Sequence, residues 1–98
     1  MELRQLRSFI KAAELLHFTR AADLLNISQP ALSNQIAQLE EELKTDLFAR
    51  VGRQVKLTES GKIFLECARK FVFELETSIQ NIDSITQLLR GELSIAAN

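Results

Sequence analysis

The feature that most constrains the fold is a stretch of about 30 residues, numbers 59 to 89, with the apolar periodicity of one long helix and no proline. Thr58 and Glu59 are residue types that favour a helix start. A helix of that length spans about 45 Å, far more than the small domain before it can cover. Its apolar positions follow two heptad series, of which the first is Ala68, Leu75, Ile82 and Leu89, and the second is Leu57, Phe64, Phe71 and Ile85 with Ser78 interrupting it. Such a seam predicts a partner helix, most simply that of a second copy of the chain.

Composition limits the other possibilities. A chain of 98 residues with three Gly and one Pro is expected to form one small, mainly helical domain. A single cysteine excludes an internal disulfide and a CxxC metal site, and we expect Cys67 to be a small buried hydrophobe. His17, the only histidine, is expected in a loop or at a helix end rather than on a metal. With no membrane-spanning run and no signal-peptide pattern, the sequence favours a cytoplasmic protein.

The first 43 residues have the periodicity of three helices. Apolar steps of three and four predict an amphipathic helix over residues 3–16. Thr19 is the expected cap of a short second helix, about 19–25, which Asn26 would end in the left-handed conformation. Ser28 is the expected cap of a third helix to about Leu43, with Pro30 in its first turn. Two short helices joined by a tight turn are typical of a helix-turn-helix.

The third helix has an unusual exposed face. Its buried stripe would be Leu32, Ile36, Leu39 and Leu43, which leaves uncharged residues on the opposite side. The second helix of a helix-turn-helix lies in the major groove with its first residues at the bases. Gln and Asn can bind adenine in bidentate fashion, Ser can bond to several bases, and Pro or Ala can contact a thymine methyl. The candidates for major-groove contact are Gln29, Pro30, Ala31, Ser33, Asn34 and Ala37.

A basic hairpin is predicted after this helix. Leu47-Phe48 and Val55-Lys56-Leu57 have the pattern of two short strands, with Gly52 in the turn. The segment from Arg50 to Lys56 contains three basic residues and no acid, so a local positive patch exists although the net charge is −1. Arg53 suits a narrow minor groove, whereas Arg50 and Lys56 suit phosphates.

Each of these features has a simpler explanation on its own. Polar residues at a helix start are often only caps and surface, and a basic hairpin is often only solvated. The order of the parts favours nucleic-acid binding. Two alternatives remain: a protein-interaction module that works through the long helix, and the targeting arm of an enzyme whose catalytic motifs would follow residue 98. We find no catalytic triad, carboxylate pair, phosphate-binding Gly loop or metal cluster in the sequence.

The sequence closely resembles the DNA-binding region of the LysR-type transcriptional regulators of bacteria over essentially its whole length. The residues that carry the resemblance are LRQLRSFIKAAELLHFTRAADLLNISQPALSNQIAQLEEEL, then LFAR, then LTESG. The resemblance implies a winged helix-turn-helix in residues 1–58, a dimerising linker helix in residues 59–89, and the start of a C-terminal effector domain in residues 90–98. It also implies a small-molecule inducer in that effector domain, no cofactor in these residues, tetramers of the full-length protein, and an interrupted palindromic operator.

Site residues follow from the resemblance one at a time. Gln29, Pro30 and Ser33 match positions that meet bases or flanking phosphates, and Arg53 matches the wing position in the minor groove. Thr19 and Arg50 match positions that hold the DNA backbone. Together with residues not taken from the resemblance, the expected contacts to the DNA backbone are Thr19, Ser28, Arg50 and Lys56. Asn34 departs from the family pattern, because many members have Arg at this position. We therefore expect a different preference for the base that this side chain meets. The expected dimerisation residues are Phe64, Ala68, Phe71, Leu75, Ile82, Ile85 and Leu89.

Overall fold

The computed structural model describes residues 1–97, and side-chain burial as far as Gly91. It contains four helices and one two-stranded antiparallel hairpin, a mainly α winged helix-turn-helix as predicted. The elements in chain order are α1 (Leu3–Leu15), α2 (Phe18–Leu25), α3 (Gln29–Leu43), β1 (Phe48–Val51), β2 (Gln54–Leu57) and α4 (Glu59–Ala97).

The core lies where α1, α2 and α3 meet the base of the hairpin and the first turns of α4. Its largest fully buried side chains are Phe9, Leu32, Leu39 and Leu47. The ring of Phe9 packs edge-on against Phe48, with centroids 5.6 Å apart. Small buried residues on α2, Ala21 and Ala22, let that helix approach α1 closely. The predicted buried stripe of α3 is confirmed at Leu32, Ile36 and Leu39, while Leu43 is half-buried.

The turn between α2 and α3 is fixed by local chemistry. Asn26 ends α2 in the left-handed conformation, with a φ of 58°, as predicted. The hydroxyl of Ser28 accepts a hydrogen bond from the backbone N–H of Ala31 at 3.2 Å, which confirms Ser28 as the cap of α3. Only Ile27 stands between Asn26 and Ser28, so the angle between the two helices is held by both caps.

The predicted cap of α2 is wrong. His17, not Thr19, is the residue with an extended backbone before α2, and its Nδ1 accepts a hydrogen bond from the N–H of Arg20 at 3.1 Å. Thr19 is already helical, so its hydroxyl cannot reach the first free N–H groups and bonds to Gln29 instead. The expectation of a helix-end role for His17 is confirmed.

The hairpin is held against α3 and α4 by polar contacts at its base. The carboxylate of Glu40 accepts hydrogen bonds from the N–H groups of Leu47, at 2.7 Å, and of Phe48, at 3.3 Å. Thr58 caps α4, as predicted, by accepting from the N–H of Gly61 at 2.9 Å, and its own N–H donates to the carbonyl of Leu47. At the tip, Gly52 has a φ of +63°, a conformation that favours glycine. The hairpin is therefore a fixed wing rather than a loose loop.

Helix α4 is longer than predicted, with 39 residues. In the sequence, Arg90-Gly91 predicts a helix end, and the alternation of Leu93 and Ile95 predicts a strand. Both predictions are wrong, because the backbone is helical to Ala97. Gly91 does not adopt a left-handed conformation, and a glycine inside a helix weakens it without ending it. A strand needs a neighbour for its hydrogen bonds, whereas a helix satisfies its own. That residues 90–98 begin an effector domain stays a prediction, and Asn98 lies outside the described residues.

The apolar seam of α4 has a covered part and an uncovered part. Ala68 is buried in the chain's own core, and Phe64 and Leu75 are half-buried. The expectation that nothing in the chain covers the seam is therefore wrong near its start, where α1 packs on it. The predicted dimerisation residues that stand exposed are Phe71, Ile82, Ile85 and Leu89. Cys67 is also exposed, against expectation, and lines an open groove between α1 and α4.

Candidate nucleic-acid interface

The exposed face of α3 contains nearly all the residues predicted to meet bases. Because Leu32, Ile36 and Leu39 turn into the core, the opposite face is left to solvent. On that face the exposed residues are Gln29, Pro30, Ser33, Asn34 and Ala37. At 100° per residue they span an arc of about 140° on the helix. Ala31 lies about 60° beyond this arc and is half-buried, so its neighbours shield it from a partner on that face.

An open groove of about 490 Å³ separates the start of α2 and α3 from the wing. Five of the predicted contact residues line it, from α2, α3 and the hairpin: Thr19, Gln29, Arg50, Arg53 and Lys56. The other lining residues are Leu16, His17, Phe18, Gln54 and Val55. The fold therefore brings the polar start of the helix-turn-helix and the basic wing to one surface. Ser28 is exposed beside it at the cap of α3.

The basic side chains of this surface have no carboxylate partner among the described residues. Arg50, Arg53 and Lys56 are exposed, and none of them forms an ion pair with a carboxylate in the described part of the chain. Six basic side chains on α1 and α4 do form such pairs, namely Arg4, Arg7, Lys11, Lys62, Arg69 and Lys70. No acidic residue lines the groove. The groove is therefore cationic, although the net charge of the chain is −1.

Two residues of the helix-turn-helix are hydrogen-bonded to each other at one wall of the groove. The hydroxyl of Thr19, in the first turn of α2, donates a hydrogen bond to Oε1 of Gln29, the first residue of α3, at 2.9 Å. Both side chains are exposed, so a ligand in the groove can reach them. The bond links a predicted backbone contact to a predicted base contact.

Sequence reasoning missed three residues of this region. His17 and Gln54 line the groove but stand in a connector and beside a turn, where nothing in the pattern marked them. Glu40 begins the acidic run Glu40 to Glu42, which the sequence pattern places beyond the bases, whereas its carboxylate holds the base of the wing. Nothing in the sequence distinguishes Glu40 from its two acidic neighbours, although in the structure it is the one of the three that is partly buried.

Comparison with known proteins identifies the family of the chain. Residues 3–62 match the model of the bacterial regulatory helix-turn-helix proteins of the lysR family. The chain belongs to the LysR family. The matched segment includes α1, α2, α3, the wing and the start of α4, which is the part that builds the groove.

Individual LysR relatives agree with this assignment. The chain is similar to the regulator BudR of Klebsiella aerogenes, with 50% identity over 97% of this chain and 66% of BudR. It is similar to YnfL of Escherichia coli K12, an uncharacterised regulator, with 45% identity over 97% of this chain and 32% of YnfL. Its fold is similar to the crystal structure of the BenM DNA-binding domain with catB site 1 DNA, at a TM-score of 0.84 and 43% identity, over 88% of this chain and 96% of that one.

These LysR relatives settle the class of the domain. They are transcriptional regulators, so the predicted family and the expectation of a DNA-binding regulatory domain rather than an enzyme are confirmed. The chain spans about two thirds of BudR and a third of YnfL. No helix in the described residues is both long enough and apolar enough to cross a membrane.

Proposed function

We propose that this LysR-family chain binds double-stranded DNA sequence-specifically, with the start of α3 in a major groove and the wing along the adjacent minor groove. The observation that carries the proposal is the groove in which Thr19, Gln29 and Arg53 converge with two further unpaired cations. Cations there suit the phosphate backbone, and short uncharged side chains on α3 suit base edges. The DNA complex of the similar BenM domain supports this interpretation.

Each predicted contact residue except Ala31 has a role in the arrangement that we propose. Gln29, Pro30, Ser33, Asn34 and Ala37 are placed to meet base edges, because they share the exposed face of α3. Arg53 is placed to enter the minor groove from the wing tip. Thr19, Ser28, Arg50 and Lys56 are placed to hold phosphates on either side. Asn34 has a short neutral side chain, so we infer fewer phosphate contacts than an arginine would make at that position.

We infer that the chain acts as a homodimer that reads two half-sites of an interrupted palindrome. Support comes from the uncovered apolar residues of α4 and from an apolar groove of about 330 Å³ where α4 leaves α1. That groove is lined by Met1, Leu3, Leu6, Phe64, Cys67, Ala68, Phe71 and Leu75. The α4 helix of a second copy suits this surface, because both are apolar and a long helix with an exposed apolar stripe needs a partner.

Further proposals concern the longer protein that relatives such as YnfL represent. This chain covers 32% of YnfL, so we propose that inducer recognition and tetramer contacts belong to additional sequence like the rest of YnfL. We propose no cofactor for residues 1–98. A regulator that reads bacterial chromosomal DNA acts in the cytoplasm, where we place this protein.

The test is selection of binding sites from a random pool of duplex DNA by this 98-residue chain, followed by sequencing. An enriched interrupted palindrome is the expected result, and its spacing gives the separation of the two half-sites. An enriched single half-site would support DNA reading but contradict the dimer. Failure of the folded chain to enrich any sequence would contradict the proposal and favour an interaction module that works through α4.

Replacement of Arg53 with Ala is expected to weaken DNA binding at every sequence and to flatten its salt dependence. Each phosphate neutralised contributes about −0.9 to the slope of log affinity against log salt. The measurement is a salt titration of the dissociation constant on the selected site. Arg4→Ala is the matched control, because Arg4 is exposed but pairs with Glu2 on α1. An unchanged slope in Arg53→Ala would show that Arg53 does not neutralise the phosphates that flank the minor groove.

Replacement of Gln29 with Ala is expected to remove the base preference at one position of the half-site. A good side-chain contact to a base contributes about 1–3 kcal/mol of discrimination, so the preferred base should lose roughly fivefold or more of its advantage. Competition between duplexes that differ at single positions measures this. Gln80→Ala, at an exposed position on α4, is the control. Equal loss on every duplex would show that Gln29 only positions the domain.

A further inference from the structure

The base of the wing is bonded to one carboxylate oxygen of α3. Oε2 of Glu40 accepts hydrogen bonds from the backbone N–H groups of both Leu47 and Phe48, at 2.7 and 3.3 Å. A backbone N–H can only donate, so Glu40 is the acceptor in both bonds. Both bonds are partly buried, so loss of this oxygen would leave two N–H groups that must move to find another partner.

The direction of the wing is set at its base. The two strands are paired from Phe48 and Leu57 at the base to Val51 and Gln54 beside the tip, so the hairpin moves as one unit. Phe48 and Leu57 pack against the core, whereas residues 49–54 are exposed. The outer wing therefore takes its orientation from the contacts of its base.

A small rotation at the base moves the tip of the wing by a large distance. The four residues of β1 span about 13 Å at roughly 3.4 Å per residue, and Arg53 lies just beyond them. A rotation of about 10° then displaces the tip by about 2 Å, a third of the minor-groove width of about 6 Å. The position of Arg53 is therefore sensitive to the two bonds at Glu40.

We propose that Glu40 is a positioning residue that places Arg53 in the minor groove and thereby determines the preference for A·T pairs beside each half-site. Narrow A·T minor grooves attract arginine, so the preference requires that Arg53 reach the groove. Glu40 is on the same helix as the predicted base contacts, and its bonds fix the wing relative to them. The inference rests on the proposed function, because it assumes that the wing lies along the minor groove.

Two substitutions of Glu40 separate the reach of its side chain from its charge. Glu40→Asp keeps the charge but withdraws the oxygen by about 1.5 Å, the length of one carbon–carbon bond. The N–H of Phe48, already 3.3 Å away, is then out of reach. Glu40→Gln removes the charge but keeps an oxygen acceptor, and a single oxygen makes both bonds in the structure. Glu40→Ala, which removes the acceptor and favours a helix, is a second variant without reach.

The measurement is competition between duplexes that share the bases read by α3 and carry either A·T or G·C flanks. The flanking positions are those whose preference, in selection from random duplex DNA, disappears in Arg53→Ala. Glu40→Asp and Glu40→Ala are expected to reduce the ratio of A·T to G·C affinity by about three- to tenfold, the contribution of one ordinary contact. Glu40→Gln is expected to keep the wild-type ratio.

A double variant and a control test whether Glu40 acts through Arg53. Glu40→Asp added to Arg53→Ala is expected to leave the flanking preference as it is in Arg53→Ala alone. Glu41→Asp is the matched control, because Glu41 is the exposed neighbour of Glu40 on α3 and does not bond to the wing base. Circular dichroism checks that every variant is folded at the temperature of the assay.

Five results would overturn the inference. Three concern the variants: an unchanged flanking ratio in both Glu40→Asp and Glu40→Ala, a lost ratio in Glu40→Gln, or an equal loss of affinity on all duplexes, which would make Glu40 important for stability alone. The fourth, a wild type without a flanking preference that depends on Arg53, would leave major-groove reading intact. The fifth, no sequence enriched by the wild type, would overturn the proposed function as well.

Discussion

Replacement of Ile82 with Asp is expected to separate the dimer and to lower affinity for a two-half-site operator by about 100-fold or more. Ile82 is 63% exposed in the single chain and lies on the apolar stripe of α4 with Ile85 and Leu89. A carboxylate there would have to be buried against apolar side chains of the partner, which is costly without a paired charge. Loss of the dimer also removes the gain from binding two linked half-sites, a factor of about 10²–10⁴.

Sedimentation and DNA titration together test this prediction. Sedimentation equilibrium gives the mass in solution, and titrations on one-half-site and two-half-site duplexes give the two affinities. Ser84→Asp is the matched control, because Ser84 is exposed and lies about 200° around the helix from Ile82. Ile82→Asp should lose affinity only on the two-half-site duplex, and Ser84→Asp should lose none on either duplex. A dimeric Ile82→Asp chain with wild-type affinity would show that this stripe is not the interface.

Replacement of Gly61 with Ala is expected to destabilise the domain by about 3 kcal/mol, at the upper end of the usual cost of overpacking. A methyl group at this position would overlap the carbonyl oxygen of Leu47, a backbone atom that accepts a hydrogen bond from Thr58. That carbonyl cannot move without losing its bond and shifting the base of the wing. The melting temperature of a domain of this size should fall by roughly 10–20 °C.

Gly91→Ala is the matched control for this substitution. Gly91 also lies within α4, but an added methyl group there would meet nothing within 4 Å. Alanine should then stabilise the helix by up to about 1 kcal/mol through its higher helix propensity. Thermal melts of both variants measure the contrast. Equal melting temperatures for Gly61→Ala and the wild type would contradict the close contact between α4 and the wing.

The sequence predicted the features that depend on local patterns. The buried stripe of α3, the left-handed Asn26 and the cap at Ser28 each follow from residue type and spacing, and the structure contains all three. The features it missed depend on residues distant in the chain. Nothing near Glu40 in sequence indicates that its carboxylate holds the wing, and nothing near Thr19 indicates a bond to Gln29 ten residues away.

The errors on α4 have a similar origin. Heptad spacing identifies an apolar seam but not what covers it, so the burial of Ala68 against the chain's own core was not predicted. Cys67, one residue earlier, is exposed, which the spacing did not predict either. The helix end was misjudged because a glycine permits a helix to stop without requiring it.

The uneven pairing of charges gives the molecule an electric polarity. The wing cations have no counter-charge, whereas the basic residues of α1 and α4 described above are neutralised. Three unpaired cations cluster at the wing, so a polyanion approaching from a distance is attracted most strongly to that side, and the wing side turns towards DNA during diffusion. Because the overall charge is −1, the attraction of the whole chain to DNA is weak. Electrostatic attraction therefore accelerates association with DNA only when the wing side faces the DNA.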